Sequence, residues 1–284
     1  MRVACVQFSP TKGKTETNFD RIIELTRQAE EEGAELVVFP EACTSGYFLE
    51  GGVTSAALPV ARLVKALSER HPEGTATLCV GHYELGPDAQ IYNSATLLNP
   101  IVGAYEAALT HRKLFLPTYG VFDEERFVTR GHAVECVPLP DGSSASILIC
   151  EDVWHSITPT IAALHGAKII LTPSASPARE FAPEGMIGNH DSYRRICRMI
   201  SQEHGVFVVN AQLTGFEGGK GLVGGSIVTD PFGNVLVEGP IGEEALLIAD
   251  LDFDLVPIAR AQAPMLADLQ TMWPRVKALV AEID

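Results

Sequence analysis

The stretch SILICEDVWHS, residues 146–156, decides how the fold and the chemistry of this sequence are interpreted. An apolar, strand-like run ends in Cys150, and two acids, Glu151 and Asp152, follow it at once. A free cysteine prefers apolar burial, and neighbouring anions raise the pKa of a thiol and make it less reactive. A reactive thiol here therefore needs a base supplied by another part of the chain.

Short runs of β-branched and apolar residues recur on both sides of this stretch, and helical patterns separate several of them. The strand-like runs include VACVQF (3–8), ELVVFP (35–40), TLCVGHYEL (77–85), KIILTP (168–173) and GVFVVNAQL (205–213). Residues 18–34 and 192–205 have helical spacing, and the second segment ends in glycine. Two hairpins are predicted, one turning at Asn99–Pro100 and one at PFGN (231–234). The pattern indicates an α/β protein in which parallel and antiparallel strands mix.

The composition of the 284 residues is that of an ordinary globular protein, with 46% hydrophobic residues. No linker divides the chain, so we expect one domain over residues 1–284, with a proline-containing tail at about 257–284 packed on the domain or on a partner subunit. A formal charge of −15 argues against nucleic-acid binding. No apolar run reaches the roughly 20 residues that cross a bilayer, and no secretory signal is recognisable, so we expect a cytoplasmic protein that does not bind membranes.

Several common motifs fail when their context is considered. GKGLVG (219–224) fits the dinucleotide-binding spacing, but it precedes the strand-like SIVTD rather than a helix. The sequence has no GxSxG elbow and no HExxH helix. Its six cysteines include no CxxC pair, so neither a zinc site nor a disulfide framework is predicted.

Three strand-like runs end in polar residues that folding does not require. Glu41 follows VVFP, Lys113 follows a run that ends in HR, and Cys150 follows SILI. Taken singly, the glutamate and the lysine are typical of a solvated ion pair, and the cysteine is typical of a core residue. The carboxyl ends of strands in α/β sheets gather ligand sites, so the three side chains are candidates for one site.

Together these contexts resemble one family, the nitrilase or carbon–nitrogen hydrolase superfamily. The motifs are VQFSP (6–10), FPE (39–41), HRKLFLP (111–117), ICED (149–152) and GGSIVTDPFG (224–233). HRKLFLPTYGVFDEERF, CEDVW and SASP are also similar to the glutamine-hydrolysing domain of glutamine-dependent NAD synthetases. The chain ends where a synthetase domain would begin, so a stand-alone relative is expected. The resemblance implies a four-layer αββα sandwich with mixed sheets and a homodimer or higher homo-oligomer.

The resemblance implies a Glu-Lys-Cys triad. Cys150 would be the nucleophile and Glu41 the base that takes its proton. Lys113 would stabilise the oxyanion together with the backbone N–H of Glu151. Glu124 matches a second glutamate that many members carry near the triad, and Glu125 is the alternative if the loop register differs.

The resemblance also suggests residues that bind the substrate. Tyr119, Trp154 and Glu151 would line the pocket, although Trp154 is equally typical of a core aromatic. Ser176, in SASP, would contact the amino-acid end of a glutamine-like substrate.

Two features depart from this pattern or remain open. Members usually carry a basic residue several positions after the serine, whereas here Arg179 comes earlier and Ala182 and Pro183 follow. Glutamine is therefore expected to be a poorer substrate than amides without an α-carboxylate. The side chains of Glu151 and Asp152 are expected to turn away from the sulfur, to cap a helix at about 156–164 or to pair with cations.

The activity that this resemblance implies is hydrolysis of a linear carboxamide to a carboxylic acid and ammonia, without a metal or an organic cofactor. Hydrolysis of an N-carbamoyl amide is the alternative with the same triad. A nitrilase is disfavoured, because nitrilases usually have tryptophan after the cysteine and here that residue is Glu151. An alternative of another class is a non-catalytic protein that binds a partner or delivers ammonia to one.

Overall fold

The computed structural model describes residues 1–181 and 187–283. Its strands are β1 (Arg2–Gln7), β2 (Leu36–Val38), β3 (Thr77–Leu85), β4 (Ile91–Ile101), β5 (Ala104–Arg112), β6 (Cys136–Pro138), β7 (Ser144–Ile147), β8 (Ile169–Ser174), β9 (Phe207–Gln212), β10 (Thr214–Glu217), β11 (Lys220–Val223), β12 (Ile227–Thr229), β13 (Val235–Glu238) and β14 (Ala245–Asp250). Its α-helices are α1 (Thr15–Glu31), α2 (Val53–Ala56), α3 (Val60–Arg70), α4 (Ile157–Leu164), α5 (Gly188–His204), α6 (Leu255–Gln262) and α7 (Met265–Val280).

Two six-stranded sheets form the centre of the fold. Their strand orders are β14-β1-β2-β3-β4-β5 and β13-β12-β9-β8-β7-β6, and each contains both parallel and antiparallel pairs. Helices α1 and α3 lie on the outer side of the first sheet, and α4 and α5 lie on the outer side of the second. The expected four-layer αββα sandwich with mixed sheets is confirmed.

Successive side chains of β1 point to opposite faces of its sheet, and both faces are buried. Val3 and Cys5 belong to the core that includes the second sheet, and the Cys5 thiol donates a hydrogen bond to the carbonyl of Asn210 on β9. Ala4 and Val6 point the other way and pack in the core that includes α1. Because successive side chains of a strand face opposite sides, an almost uniformly apolar strand fits only between two covered faces.

Both predicted hairpins are present, but the turn of one of them lies at other residues than the sequence predicts. β12 and β13 pair around residues 230–234, as predicted. β4 and β5 are antiparallel, but β4 continues through Asn99 and Pro100, and the turn lies at Val102–Gly103. The predicted Asn-Pro turn is therefore wrong. Gly103 has a φ of 77°, which glycine adopts at little cost, and this two-residue turn pairs Ile101 with Ala104; the register of the two strands shifts once, between Leu97 and Leu98.

A close approach of two backbones fixes the segment that carries Glu41. A Cβ atom on Gly81 of β3 would lie 2.3 Å from the carbonyl oxygen of Pro40 and 2.7 Å from the Cα of Glu41. Only glycine leaves room for the chain to cross β3 at this point. The crossing holds Glu41 against the end of the first sheet.

Helices α6 and α7 form the C-terminal segment that the sequence predicts as a tail. Leu266 is buried, whereas Met265, Met272 and Leu279 are largely exposed. Packing of this segment on a partner subunit stays a prediction. Within residues 1–181 and 187–283, no helix has both the length and the apolar character needed to span a membrane.

Candidate active site

The three predicted triad residues meet at the ends of strands from both sheets. Glu41 follows β2, Lys113 directly follows β5, and Cys150 begins the 3-10 turn Cys150–Trp154 after β7. All three side chains are buried. The charges of Glu41 and Lys113 both act on the pKa of Cys150, so the two sheets bring the three groups into one electrostatic environment.

Lys113 lies between two carboxylates. Its Nζ is 2.7 Å from Oε1 of Glu41 and 2.6 Å from Oε1 of Glu124. Burial on its own lowers the pKa of Lys113, but these two carboxylates outweigh burial and hold the pKa well above its ordinary value. The lysine is therefore a fixed positive charge at neutral pH.

Glu124 joins the same network from the 3-10 turn Glu124–Arg126. Its carboxylate accepts hydrogen bonds from the Tyr47 hydroxyl and, at 3.4 Å, from the Asn93 amide, in addition to Lys113. Glu125 points to the surface instead and pairs with Arg130. The structure therefore places Glu124, and not Glu125, beside the other site residues.

Glu41 has one oxygen engaged and one oxygen free. Oε1 accepts hydrogen bonds from Lys113 and, at 2.8 Å, from Asn93. Oε2 is buried and has no hydrogen-bond partner among the described residues. Burial raises the pKa of Glu41 to about 7, and the attraction of Lys113 opposes this while the charge of Glu124 adds to it. A carboxylate with a pKa near neutrality is suited to both taking and returning a proton.

Cys150 has an uncommon backbone conformation for a residue with a side chain. Its φ is +49°, in the left-handed region. Its Sγ lies 3.1 Å from the hydroxyl of Tyr193 on α5. Burial and then the charge of Glu41 raise the pKa of the Cys150 thiol, while Lys113 and the hydroxyl of Tyr193 lower it. The thiol therefore needs a base, as the opening stretch of sequence indicates.

The two acids after Cys150 do turn to other partners. Asp152 is fully buried and accepts hydrogen bonds from the backbone N–H groups of Leu114, Phe115 and Ile149. It does not cap α4 with its side chain, because these donors of its own turn and of the segment after Lys113 occupy the carboxylate. The Glu151 carboxylate accepts a hydrogen bond from the Tyr119 hydroxyl, at 2.9 Å to the nearer oxygen.

Tyr119 and Phe122 form an aromatic wall, and the side chain of Arg179 lies over both rings. The Arg179 guanidinium carbon lies 5.6 Å from the Tyr119 ring centroid and 5.0 Å from that of Phe122. Nε of Arg179 is buried and has no hydrogen-bond partner within residues 1–181 and 187–283. Ala182 and Pro183, which the sequence argument also uses, lie outside the described residues.

Ser176 and Trp154 are the other two candidate substrate-binding residues. Ser176 is buried, and its hydroxyl accepts a hydrogen bond from the amide of Asn189. Trp154 is partly buried, and its ring packs edge-on against Tyr193 at a centroid distance of 5.2 Å. Trp154 packs against the main hydrophobic core and against Tyr193, which contacts the Cys150 thiol.

Comparison with known proteins identifies the family of this chain. The sequence matches the carbon-nitrogen hydrolase family over residues 2–261. The chain belongs to this family. The resemblance that the sequence motifs indicate is confirmed, and carbon–nitrogen hydrolases act on bonds between carbon and nitrogen.

Individual relatives differ in what they do. The glutamine-dependent NAD(+) synthetase of Thermotoga maritima is 30% identical over 262 residues, which cover 89% of this chain and 42% of the synthetase. The chain spans less than half the length of this relative. A nitrilase of Pyrococcus abyssi is 26% identical and covers 90% of this chain and 91% of the nitrilase. The structure of the E41Q mutant of an amidase from Nesterenkonia sp. AN1, which shows Michael addition of acrylamide at the active-site cysteine, has a TM-score of 0.73 and 26% identity, covering 92% of this chain and 97% of the amidase.

The sequence does not predict three further residues of the candidate site. Asn93 and Tyr47 contact the carboxylates, and Tyr193 contacts the thiol. An asparagine within a strand whose neighbours are buried is a recognisable signal, since such a side chain needs a partner. Tyr193 gives no comparable signal, because it lies on an amphipathic helix whose apolar positions are typical of core residues.

Proposed function

We propose that this carbon–nitrogen hydrolase converts a linear carboxamide to a carboxylic acid and ammonia through a thioester on Cys150. The observation that carries the proposal is the arrangement at Glu41, whose free Oε2 belongs to a carboxyl group with a pKa of about 7 in the immediate environment of the thiol. Such a group can accept the thiol proton at neutral pH. The amidase named above, with its modified cysteine, supports a cysteine nucleophile.

In the first half of the reaction, Glu41 takes the proton from Sγ while the sulfur attacks the amide carbon. The C–N bond then breaks, and Glu41 returns the proton to the nitrogen, which leaves as ammonia. In the second half, Glu41 takes a proton from water, the resulting hydroxide attacks the thioester carbon, and the C–S bond breaks. The acid leaves and the thiol recovers its proton.

Lys113 supplies positive charge where the carbonyl oxygen becomes an anion. Its ammonium is held by Glu41 and Glu124 and needs no rearrangement when charge develops on the substrate. Preorganised charges of this kind, in a site without water, are among the largest contributions to catalysis, and one donor typically contributes about 3 kcal/mol. The backbone N–H of Glu151 is the second donor that we propose.

The acyl end of the substrate is proposed to lie along Tyr119, with Glu151 and Arg179 on either side. This pair of opposite charges fits an amide whose acyl part carries an ammonium and a carboxylate, as in glutamine. The expected basic residue after SASP is missing, but the position of Arg179 favours a carboxylate-bearing substrate. The proposal therefore reverses the sequence-based expectation that glutamine is a poorer substrate than amides without an α-carboxylate. Glutamine dependence in the name of the Thermotoga relative is consistent with this choice.

A competitive panel tests the proposal. L-glutamine, an ω-amide of a dicarboxylic acid, a short aliphatic amide, an N-carbamoyl amino acid and a matched nitrile are supplied at equal concentration, with and without EDTA. We expect the two carboxylate-bearing amides to have the highest kcat/KM, measured as acid formed, and EDTA to have no effect. Fastest turnover of the nitrile, or loss of activity with EDTA, contradicts the proposal. Fastest turnover of the carbamoyl compound identifies the alternative reaction, and no turnover of any compound favours a binding or ammonia-delivering role.

A further inference from the structure

Tyr193 contacts the sulfur of Cys150 from a helix, whereas the triad residues lie at strand ends. It is on α5, in the outer helical layer, whereas Glu41 and Lys113 follow strands of the first sheet. Its hydroxyl oxygen is 3.1 Å from Sγ of Cys150, and the side chain is buried. A hydroxyl at this distance from a sulfur is within hydrogen-bonding range.

We propose that Tyr193 is a further catalytic residue, whose hydroxyl donates a hydrogen bond to the Cys150 thiolate. The proposal rests on the proposed function only in that it assigns Cys150 as the nucleophile. A neutral thiol accepts hydrogen bonds weakly, whereas an anionic sulfur accepts them strongly. The contact is therefore stronger in the reactive form of the cysteine than in its resting form.

The hydrogen bond acts at two points of the reaction. When Glu41 takes the thiol proton, the Tyr193 hydroxyl stabilises the negative charge that remains on sulfur. When the C–S bond of the second tetrahedral intermediate breaks, the same hydroxyl stabilises the departing thiolate. No proton moves from Tyr193 in either step, because burial holds the pKa of its phenol well above the ordinary value.

The surroundings of Tyr193 fix the position of its ring and of the hydroxyl oxygen. The indole of Trp154 packs against the phenol ring at 89°, with the ring centroids 5.2 Å apart. Trp154 and Cys150 are the two ends of one 3-10 turn, so this turn both carries the sulfur and supports the ring that faces it. The orientation is thus set by packing before any substrate arrives.

The test measures thiol reactivity, which needs no amide turnover. The rate at which iodoacetamide alkylates Cys150 is measured against pH, with the modified peptide identified by mass spectrometry because Cys136 is also partly exposed. In Tyr193→Phe we expect the midpoint of this profile to rise by about one pH unit, which corresponds to a tenfold loss of thiolate stabilisation. Turnover of the best amide should fall by at least about tenfold.

Tyr105→Phe is the matched control. Tyr105 is also a buried tyrosine, but its hydroxyl has no hydrogen-bond partner among the described residues and it lies on β5, away from the thiol. We expect its alkylation profile to match that of the unmodified protein. An unchanged midpoint in a folded Tyr193→Phe protein overturns the proposal.

A second variant keeps the proposal testable if Tyr193→Phe does not fold. Site-specific 3-fluorotyrosine at position 193 preserves the ring and the hydroxyl and makes the phenol a stronger hydrogen-bond donor. We expect the alkylation midpoint of Cys150 to fall in this protein. A midpoint that stays the same or rises contradicts the proposal, whereas failure of every amide in the panel above with this shift present contradicts only the proposed function.

Discussion

The carboxylate of Asp152 lies 2.9 Å from Nε2 of His111, and neither side chain reaches solvent appreciably. The same carboxylate accepts a hydrogen bond from the N–H of Ile149, which precedes Cys150. It also accepts hydrogen bonds from the N–H groups of Leu114 and Phe115, the two residues after Lys113. One buried side chain therefore ties the segment of the lysine to the segment of the cysteine. It sets the distance between two groups of the candidate site without touching the substrate.

We expect Asp152→Asn to lower kcat by about tenfold to a hundredfold while KM changes little, because small displacements of reacting groups have effects of this size. The new NH₂ group faces donors, so at least one backbone N–H loses its acceptor. Steady-state kinetics of the folded fraction measure the changes in kcat and in KM separately. Asp250→Asn, at an exposed ion pair with Arg2, is the control and should behave as the unmodified protein does. Equal losses in kcat and in substrate affinity would argue against a positioning role.

Cys150 should be essential, and the other buried cysteines should not be. Cys150→Ala is expected to abolish ammonia release and to leave the thermal transition nearly unchanged, because alanine keeps the backbone conformation and most of the packing. Cys43→Ala and Cys197→Ala are the controls, since both residues are buried like Cys150, and the Cys43 thiol bonds the Gly81 carbonyl instead of a triad residue. Activity in Cys150→Ala together with an inactive control would refute the assignment.

Lys113→Met should impair folding as well as catalysis. Removing the ammonium leaves Glu41 and Glu124 buried without their counterion, which typically costs about 3–5 kcal/mol. kcat/KM should fall at least about a hundredfold. The loss of stability should be smaller at pH 5 than at pH 8, because the carboxylates can then be protonated.

The double variant Lys113→Met with Glu124→Gln separates these two effects. We expect it to recover part of the stability, measured by thermal unfolding, and none of the activity. Lys65→Met, at an exposed helical pair, is the control for loss of a charge. Recovery of turnover in the double variant would exclude an electrostatic role for the lysine.

The pH dependence of kcat/KM should report Glu41. The base must be unprotonated, so kcat/KM should rise with pH and level off above about 7, the pKa of this carboxyl group. Glu41→Gln should abolish turnover and slow alkylation of Cys150, whereas Glu124→Gln should weaken turnover and slow alkylation less. Complete loss of both signals in both variants would mean that the two glutamates share one role.

The same pKa has an opposite consequence for stability. Between the ordinary value of 4.5 and about 7, the folded protein binds more protons at Glu41 than the unfolded chain does. The contribution of this group therefore stabilises the fold at low pH and is lost as pH rises through that window. Glu41→Gln should raise the thermal midpoint at pH 8 relative to the parent and have less effect at pH 5.

Arg179 should select substrates that carry a carboxylate. Arg179→Met keeps the stem against the aromatic wall and removes the charge, so KM for L-glutamine should rise by about tenfold while a neutral aliphatic amide is unaffected. Arg70→Met is the matched control, because Arg70 also lies over an aromatic ring, Phe19, but on α3, outside the residues of the candidate site. A similar change in KM for both substrates would show that Arg179 shapes the wall without binding the acyl group.

The sequence is sufficient for most strands of the two sheets, because their apolar runs differ from the helical patterns between them, but it does not predict β6 (Cys136–Pro138). It also places Glu41, Lys113 and Cys150 at strand ends, where the structure finds them together. It is not sufficient for Tyr193, which is 43 residues from Cys150 along the chain and meets the sulfur only through the packing of α5 on the second sheet. The sequence does not predict the contacts of Asp152 for the same reason. Two of its donors, the N–H groups of Leu114 and Phe115, belong to the segment that follows β5 of the first sheet.

The left-handed backbone of Cys150, with φ of +49°, bears on laboratory evolution of this protein. A residue with a side chain in this region carries a cost of about 1–2 kcal/mol that glycine does not. A screen for heat tolerance alone would therefore not select against replacement of Cys150 by glycine, and variants without the proposed nucleophile would survive it. Libraries for more robust variants should hold position 150 constant and score product formation in the same round as survival of heating.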